Sequence, residues 1–246
     1  MKLVVGTSGW QYRDWREVVY DRRPQREWLA SYAREFPTVE VNNAFYRLPE
    51  RAVFERWREE TPDGFVMAVK ASRYLTHIRR LQDPGEPVSR LTERAAGLGD
   101  RLGPYLLQLP PNLRADAGRL DACLRAFPRS ARVAVEPRHE SWWSREVRSV
   151  LERRGAALCW ADRRNRPVTP RWVTADWGYV RFHEGAASPP PSYGRTALAS
   201  WLDRIAAAWP GPSAEVFVYF NNDPGGAAVR NARTLRRQAQ RRSLAA

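Results

Sequence analysis

Charged and polar side chains follow directly on the apolar runs of this chain, where a simple core strand would carry none. The residues concerned are Glu40, Asn42, Lys70, Gln108, Glu136, Arg138, Arg181, His183, Asn221 and Asn222. Carboxylates and imidazoles transfer protons in enzymes, and guanidinium and ammonium groups bind anions. The set therefore predicts a site for a small phosphorylated or sugar-containing ligand, with groups for acid–base chemistry on it.

The carboxylates and histidines carry the expected chemistry. We expect Glu136 to be the principal acid, base or metal ligand, assisted by Glu40 and His183. His77 lies in a long loop after Lys70 and could close over a ligand, or simply make a loop hydrogen bond. These groups suit a hydrolase or an isomerase. The sequence has no nucleophile elbow and no nicotinamide or flavin signature, so it names no reaction.

A divalent metal ion is an alternative use of the same carboxylates. Oxygen and nitrogen atoms of Glu136, Asp162 and His183 are a compatible ligand set for Mn²⁺, Mg²⁺ or Zn²⁺. The chain has only three histidines and no His-x-His pair. Ion pairing of the carboxylates with the basic residues of the set is the competing interpretation.

Ligand binding is assigned to basic, amide and aromatic side chains. Lys70, Arg138 and Arg181 would hold an anion. Orienting roles are expected for Gln108, Asn42, Asn221 and Asn222. A base or sugar could stack on Trp10, Tyr12 and Tyr46, although such aromatics could instead seal loops onto the core. Residues 221–226 lead into the last helix, where backbone N–H groups could bind phosphate or merely cap the helix.

The elements that must position these residues alternate between strand and helix. Apolar runs predict eight buried strands at or near 3–5, 39–43, 65–70, 105–108, 133–139, 157–162, 179–183 and 216–223. Helical patterns cover 24–35, 51–60, 88–97, 116–127, 142–154, 196–209 and 226–240. We expect Ser141 to cap the fifth of these helices.

This order predicts one α/β domain over residues 1–246, a TIM-type (β/α)8 barrel that is irregular after strand six. A short extra strand is expected at 173–176. An open doubly wound sheet is the alternative, although no G-x-G-x-x-G follows a strand.

The alternation of side chains along each strand predicts which of these residues share one face of the sheet. Every second side chain lies on one face, which places on the inward face Glu40, Lys70, Gln108, Glu136, Arg181 and Asn221. Barrels carry their active sites at this end of the strands. Because buried charges must pair, a non-catalytic scaffold is also compatible, with Glu136 bonded to Arg181 or Lys70 only to support folding.

The net charge of +14 raises nucleic acid as a partner. All but two of the 41 basic residues are arginine, a skew more typical of a GC-rich coding bias than of a binding patch. The basic residues are also scattered along the whole chain. A run at helical spacing contains Arg230, Arg233, Arg236, Arg237, Arg241 and Arg242. It predicts either a solvated helix face or a phosphate-contacting surface. A nucleic-acid-binding or nuclease-like barrel is therefore the alternative function.

Apolar stretches and cysteines in the sequence bear on the cellular location of the protein and on its redox state. No apolar stretch is long enough for a transmembrane helix, and the first six residues suit a strand better than a signal peptide. We therefore expect a cytoplasmic protein with no membrane partner. Cys123 and Cys159 lie in apolar runs and are expected to be buried, inert thiols. The oligomeric state is left open.

Several motifs together resemble one family. They are residues 6–15, 39–49, Lys70 with 76–77, 107–111, 136–139 with Trp142, 179–183 and 219–222. In this order they resemble domain-of-unknown-function family 72, the YecE-like proteins, across nearly the whole chain. The resemblance implies an α/β barrel and a site at these residues, but no established activity. Two departures are Pro137, where an aromatic residue is usual, and Glu184, which separates His183 from Gly185.

Overall fold

The computed structural model describes residues 1–164 and 166–244. Within these ranges a single sheet contains β1 (Lys2–Ser8), β2 (Thr38–Val41), β3 (Val66–Lys70), β4 (Leu102–Gln108), β5 (Val133–Glu136), β6 (Ala157–Leu158), β7 (Trp160–Arg163), β8 (Arg166–Pro167), β9 (Gly178–Glu184) and β10 (Glu215–Phe220). The order is β6-β5-β4-β3-β2-β1-β10-β9-β7-β8, and every pair is parallel except β7 with β8. The predicted α/β class and parallel pairing are confirmed.

Both faces of the sheet are buried. The outer face is covered by helices, and side chains such as Leu107, Val135 and Phe182 belong to the core formed there. The inner face has its own cluster, which includes Val4, Ala68, Leu106, Ala134, Ala157, Tyr179, Phe217 and Tyr219. Burial on both faces explains why the strands are continuous apolar runs rather than alternating ones.

The strand predicted at 157–162 is split at Cys159. Ala157 and Leu158 pair with β5, whereas residues from Trp160 onward pair with β9, so one stretch of chain reaches both ends of a curled sheet. β8 then adds a short antiparallel strand. The described residues therefore form a ten-stranded curled sheet, where the sequence predicts eight regular strands.

The extra strand predicted at 173–176 is absent, and side-chain hydroxyls take its place. The Thr174 hydroxyl accepts a hydrogen bond from the N–H of Leu158 at 2.8 Å and donates one to the carbonyl of Ala156 at 2.7 Å. The Thr169 hydroxyl makes an equivalent pair of bonds at 2.9 and 2.8 Å. These bonds satisfy backbone groups that a neighbouring strand would otherwise satisfy.

The helices follow the predicted order with shifted ends. They are α1 (Trp28–Ala33), α2 (Asn43–Tyr46), α3 (Arg51–Glu59), α4 (Gly85–Ala95), α5 (Ala117–Ala126), α6 (Arg145–Arg154), α7 (Arg195–Ala208) and α8 (Ala227–Gln240). The first predicted helix is shortened, because a 3₁₀ turn at Gln25–Glu27 precedes α1. Between β7 and β9 the described residues contain no helix, so the predicted irregularity after strand six is confirmed.

The predicted cap of α6 was wrong. Ser144, not Ser141, occupies the N-cap position, and its hydroxyl accepts a hydrogen bond from the N–H of Val147 at 3.2 Å. The Ser141 hydroxyl instead accepts one from the N–H of Ala115 at 2.8 Å, which ties together the loops after β4 and β5.

The structure also bears on the two cysteines and on membrane-spanning helices. Cys123 and Cys159 are free and buried, as expected. Among residues 1–164 and 166–244, no helix has the length and apolar character needed to cross a bilayer.

Candidate functional site

Arg181 is the centre of a buried ion network at the carboxyl ends of the strands. It lies on β9 and is 1 % exposed. One of its terminal nitrogens donates to Glu136 Oε2 at 2.6 Å, and the other donates to Glu40 Oε1 at 2.8 Å. Glu40 is on β2 and Glu136 ends β5, and neither strand neighbours β9 in the sheet. These bonds therefore cross the interior of the curled sheet.

Glu40 is fully occupied by donors from the protein. Besides Arg181, it accepts hydrogen bonds from the Ser8 hydroxyl and the Tyr179 hydroxyl, each at 2.7 Å. Ser8 ends β1 and Tyr179 lies two residues before Arg181 on the same strand face. Three side-chain donors thus satisfy the hydrogen-bonding capacity of this buried carboxylate.

Glu136 is held as a carboxylate by its charged neighbours. Its Oε1 atom accepts hydrogen bonds from Arg138 at 2.9 and 3.1 Å and lies 2.9 Å from Nε2 of His183. Burial alone would raise the pKa of Glu136, but Arg181, His183 and Arg138 outweigh it and hold this pKa well below its ordinary value. Glu136 is therefore ionised at neutral pH, which suits a base rather than an acid.

His183 is oriented through both of its ring nitrogens. Nε2 faces Glu136, and Nδ1 lies 3.1 Å from the amide nitrogen of Asn221. Burial lowers the pKa of His183, and the nearby Glu136 carboxylate only partly opposes this. The network is consistent with a neutral ring that donates from Nε2 to Glu136 and accepts at Nδ1 from Asn221.

Lys70 ends β3, and its ammonium lies over the ring of Phe45, 4.3 Å from the centroid. In the part of the chain that the structure describes, it makes no ion pair and no hydrogen bond. Burial, followed by the charge of Arg181, lowers the pKa of Lys70 to about 8, against the opposing effects of Glu40 and Glu136. We call the residues Glu40, Lys70, Glu136, Arg138, Arg181 and His183 the strand-end cluster.

His77 borders this cluster through Phe45. It belongs to a π-helical turn, Tyr74–Ile78, and its ring meets the Phe45 ring edge-on with centroids 5.0 Å apart. Nδ1 lies 2.9 Å from the Thr76 hydroxyl. Burial, and then the charge of Lys70, lower the pKa of His77. The ring is therefore neutral near pH 7, and short π-helical turns are frequent at functional sites.

Three predicted ligand-binding residues border the cluster without joining its ion pairs. Gln108 is buried and donates to the carbonyl of Leu109 at 3.3 Å. The Tyr12 hydroxyl donates to the carbonyl of Ser8 at 2.7 Å. Burial raises the pKa of Tyr12, and a hydrogen bond with the Asn42 side chain opposes this rise. The Tyr12 and Asn42 side chains are therefore neighbours.

Tyr46, in contrast, is 82 % exposed on α2 and meets the Phe45 ring edge-on. It therefore lies outside the buried network, at its edge.

Trp10 and Asn222 are engaged in contacts within the protein, and their ligand-binding roles stay predictions. Trp10 is buried and packs edge-on against Trp57 with ring centroids 5.1 Å apart. Asn222 is 1 % exposed and donates to the carbonyl of Pro191 at 3.0 Å and to Asn231 at 2.8 Å. It fastens the loop after β9 to α8.

The predicted metal ligands do not converge. Asp162 pairs in register with Phe182, so it lies on the outer face, whereas Arg181 and His183 lie on the inner face. No group of three or more His, Cys, Asp or Glu side chains is arranged to hold a metal ion within residues 1–164 and 166–244. Glu136 and His183 alone, both engaged in protein hydrogen bonds, do not fit a divalent-metal site.

The start of α8 does not favour phosphate. Burial, and then the neighbouring Asp14 carboxylate, raise the pKa of Asp223 to about 6. Two carboxylates next to this helix start would repel an anion.

The arginine run on α8 is also largely engaged. Arg233 pairs with Glu35 and Arg242 with Asp203. Arg230 and Arg236 donate to backbone carbonyls.

Sequence reasoning missed Ser8 and Tyr179 as parts of the site, whereas Phe45 is among the aromatic residues expected to frame it. Ser8 and Tyr179 were detectable in principle, because both share the inward parity of their strands. The Phe45 contact with Lys70 depends on the turn after β2, which side-chain alternation does not describe.

Comparison with known proteins agrees with this geometry. The family model described as "Protein of unknown function DUF72" matches residues 4–246. The chain belongs to the DUF72 family. No specific function or ligand is established for this family by the comparisons.

Two curated relatives have names that state no function. UPF0759 protein YecE of Escherichia coli (strain K12) is 29% identical over 153 residues, which cover 61% of this chain and 54% of YecE. The match therefore spans about half the length of that relative. UPF0759 protein YunF of Bacillus subtilis (strain 168) is 23% identical over 266 residues, covering 95% of this chain and 93% of YunF.

Solved DUF72 structures share the fold. A DUF72 family protein from Thermotoga maritima MSB8 has a TM-score of 0.81 at 25% identity and covers 98% of this chain and 100% of its own. A DUF72 family protein from Enterococcus faecalis V583 has a TM-score of 0.82 at 19% identity, covering 97% of this chain and 95% of its own.

Proposed function

We propose that the strand-end cluster binds a small anionic ligand, a phosphorylated or sugar-containing molecule, and that Arg138 holds its anionic group while Lys70 contacts the ligand beside it. The two carboxylates of the cluster, Glu40 and Glu136, already accept hydrogen bonds from Arg181. Arg138 keeps 31% of its side chain exposed, and Lys70 has no carboxylate partner among the described residues. These two cations are therefore the groups available to a ligand.

The charge balance of the cluster carries this proposal. Arg181 offsets part of the charge of Glu40 and Glu136, and Lys70 and Arg138 add two further cations. Three cations against two carboxylates leave a net positive charge in a site largely removed from water. A protein that used these groups only for folding would have no need of the surplus cation, because an unpaired buried charge costs free energy.

Acid–base roles are proposed on the basis of the pKa directions. Glu136 remains ionised, so it would orient His183 and Arg138 and act as a base or electrostatic group rather than as an acid. His77 and His183 are neutral near pH 7 and would be the proton carriers of a hydrolase or isomerase reaction. We also propose that the curled sheet works as a barrel closed at Cys159, with this cluster at its carboxyl-end opening.

A thermal-shift screen tests the binding proposal. The panel contains sugar phosphates, nucleotides, free sugars and short DNA, each at low and high salt. A ligand at 100 times its dissociation constant stabilises the fold by about 2.7 kcal/mol. We expect phosphorylated small molecules to raise the Tm of the wild-type protein and of Arg148→Gln, an exposed control that removes the pair with Glu152 and the contact with the Trp172 ring. The shift should be lost in Arg138→Gln, and an equal shift in both variants would reject the assignment.

Nucleic acid is the second candidate, favoured by the exposed apolar side chains near the cluster. Tyr46, Tyr74 and Ile78 are exposed, and Arg47 and Arg73 are exposed beside them in the sequence. Bases stack on such aromatics, and arginines contact phosphates. The same screen discriminates the two functions. A shift seen only with DNA, and lost at high salt, would favour this second candidate.

A further inference from the structure

We propose that Lys70 is a nucleophile that forms an imine with an aldehyde or ketone group of the bound ligand. The inference deepens the proposed function and rests on it, because Arg138 in the same cluster would hold the anionic end of that ligand. The ligand class is thus narrowed to small anionic carbonyl compounds.

The position of Lys70 on its strand directs it toward the ligand. Lys70 pairs in register with Leu106, which belongs to the inner cluster, and Ala68, two residues earlier, belongs to it as well. Its side chain therefore shares the inward face. The residue is partly rather than fully buried, so its side chain keeps some exposure.

The surroundings leave the amine without a charged partner. The oxygens of Glu40 are taken by Ser8, Tyr179 and Arg181, and those of Glu136 by its own donors. Within the described residues Lys70 contacts only the Phe45 ring through its ammonium. A lysine kept only for stability would be expected to form an ion pair, because an unpaired buried charge is costly.

The same surroundings favour the neutral, nucleophilic form. Burial and the neighbouring Arg181 bring the pKa of Lys70 down to about 8. With that pKa, about a quarter of the side chain is neutral at pH 7.5. Enzymes activate lysines in this way, by removing them from water or placing them beside another cation.

Composition adds an independent observation. Only Lys2 and Lys70 are lysines among 41 basic residues. A guanidinium stays protonated at any physiological pH, so an arginine at position 70 could bind an anion but could not attack a carbonyl. The site thus has an amine where a guanidinium would suffice for binding alone.

The chemical step balances without an oxidant or reductant. The neutral Nζ adds to the carbonyl carbon, a C–N bond forms, and a proton passes from nitrogen to oxygen. The hydroxyl then leaves as water with a second proton, and a C=N bond remains. His77 contacts the Phe45 ring that Lys70 also contacts, and its neutral imidazole is suited to relay these protons.

Borohydride trapping tests the inference. The protein is incubated with dihydroxyacetone phosphate at pH 7.5, and sodium borohydride reduces any imine to a stable secondary amine. Besides the α-amino group of Met1, the chain offers only Lys2 and Lys70, so intact mass and peptide mapping identify the adduct directly. Lys2 is more than half exposed and pairs with Glu215 at 3.3 Å, which makes it an internal control.

We expect at least about tenfold more adduct on Lys70 than on Lys2, because burial lowers the pKa of Lys70 to about 8 and Arg138 of the same cluster would hold the phosphate beside it. The adduct should persist in Lys2→Arg, disappear in Lys70→Arg, and decrease when inorganic phosphate competes. Circular dichroism checks that each variant is folded. Equal labelling of the two lysines, or no adduct on Lys70, overturns the inference.

A parallel thermal-shift measurement separates this inference from the proposed function. A stabilising shift with dihydroxyacetone phosphate and no adduct rejects the imine while the anion site stands. If neither a thermal shift nor an adduct is observed, both the imine and the anion site are rejected.

Discussion

Removal of the Arg181 side chain should be among the most damaging single changes in this protein. The guanidinium bridges Glu136 at 2.6 Å and Glu40 at 2.8 Å, and all three side chains are at most 1 % exposed. Breaking a buried ion pair by deleting one partner costs about 3–5 kcal/mol, because the remaining charge is left without compensation. We expect Arg181→Met to lower the free energy of unfolding by about that amount at pH 7.

The pH dependence of this loss provides a second, signed readout. In the wild type the pKa of Glu136 is lowered, so its contribution to stability is present above its ordinary pKa and is lost as the pH falls through the lowered value. In Arg181→Met the cluster has lost the cation that lowers the pKa of Glu136 most, so this pKa should rise. The variant should therefore lose stability as the pH increases, and its deficit should be smaller at pH 5 than at pH 7.

Urea denaturation of wild type, Arg181→Met and Arg148→Met at both pH values measures these differences. Arg148 pairs with Glu152 at 2.8 Å on the surface, where such pairs contribute only about 0–1 kcal/mol. If Arg181→Met were no more damaging than this control, or if its deficit did not change with pH, the buried network would not have the energetics described here.

Three further predictions concern other parts of the molecule. Thr174→Val should lower the free energy of unfolding by about 1–3 kcal/mol, because two backbone groups lose their partner; calorimetry would show a lower Tm, and an unchanged Tm would contradict this. The pKa of Asp223 is raised to about 6, so ionisation should destabilise the fold as the pH rises from 4.5 to 7, and Asp223→Asn should remove that fall in urea titrations. Trp10→Phe should lower the Tm but leave ligand binding intact, since Trp10 packs on Trp57; a loss of binding without a loss of stability would restore its predicted role.

Side-chain alternation predicted much of the site because the strands are regular up to their carboxyl ends. Glu40, Glu136 and Arg181 each lie within a strand, so counting by two places them on one face, and the structure joins them directly. Asp162 was assigned from its position at a strand end alone. Its position on the outer face follows from its register with Phe182, which counting within one strand does not give.

Residues beyond the strand ends could not be predicted in this way. Asn222 follows Asn221 with the opposite parity, and only the packing of α8 shows that it bonds to Asn231. Ser141 and Ser144 are three residues apart, and each resembles a helix cap in the sequence. The choice between them depends on Ala115 in another loop, which bonds to Ser141. Long-range contacts of this kind have no local sequence signal.

The sequence was sufficient to predict the fold class and the order of strands and helices. It was not sufficient to predict how the two ends of the sheet meet. The apolar run at 157–162 suggests one strand, and the break at Cys159 depends on which neighbour each half meets. The hydroxyls of Thr169 and Thr174 stand in for a strand there, and nothing local distinguishes them from other loop threonines.

The most direct test of the anion site uses the histidines, of which the chain has three. His183 touches Glu136 and lies 3.4 Å from Arg138, and His77 borders Lys70 through Phe45. Titration with dihydroxyacetone phosphate, followed by the imidazole proton resonances, should shift those of His183 and His77 saturably, and the neutral dihydroxyacetone should shift them far less. Saturable binding that leaves both resonances unchanged would place the ligand elsewhere and contradict the account.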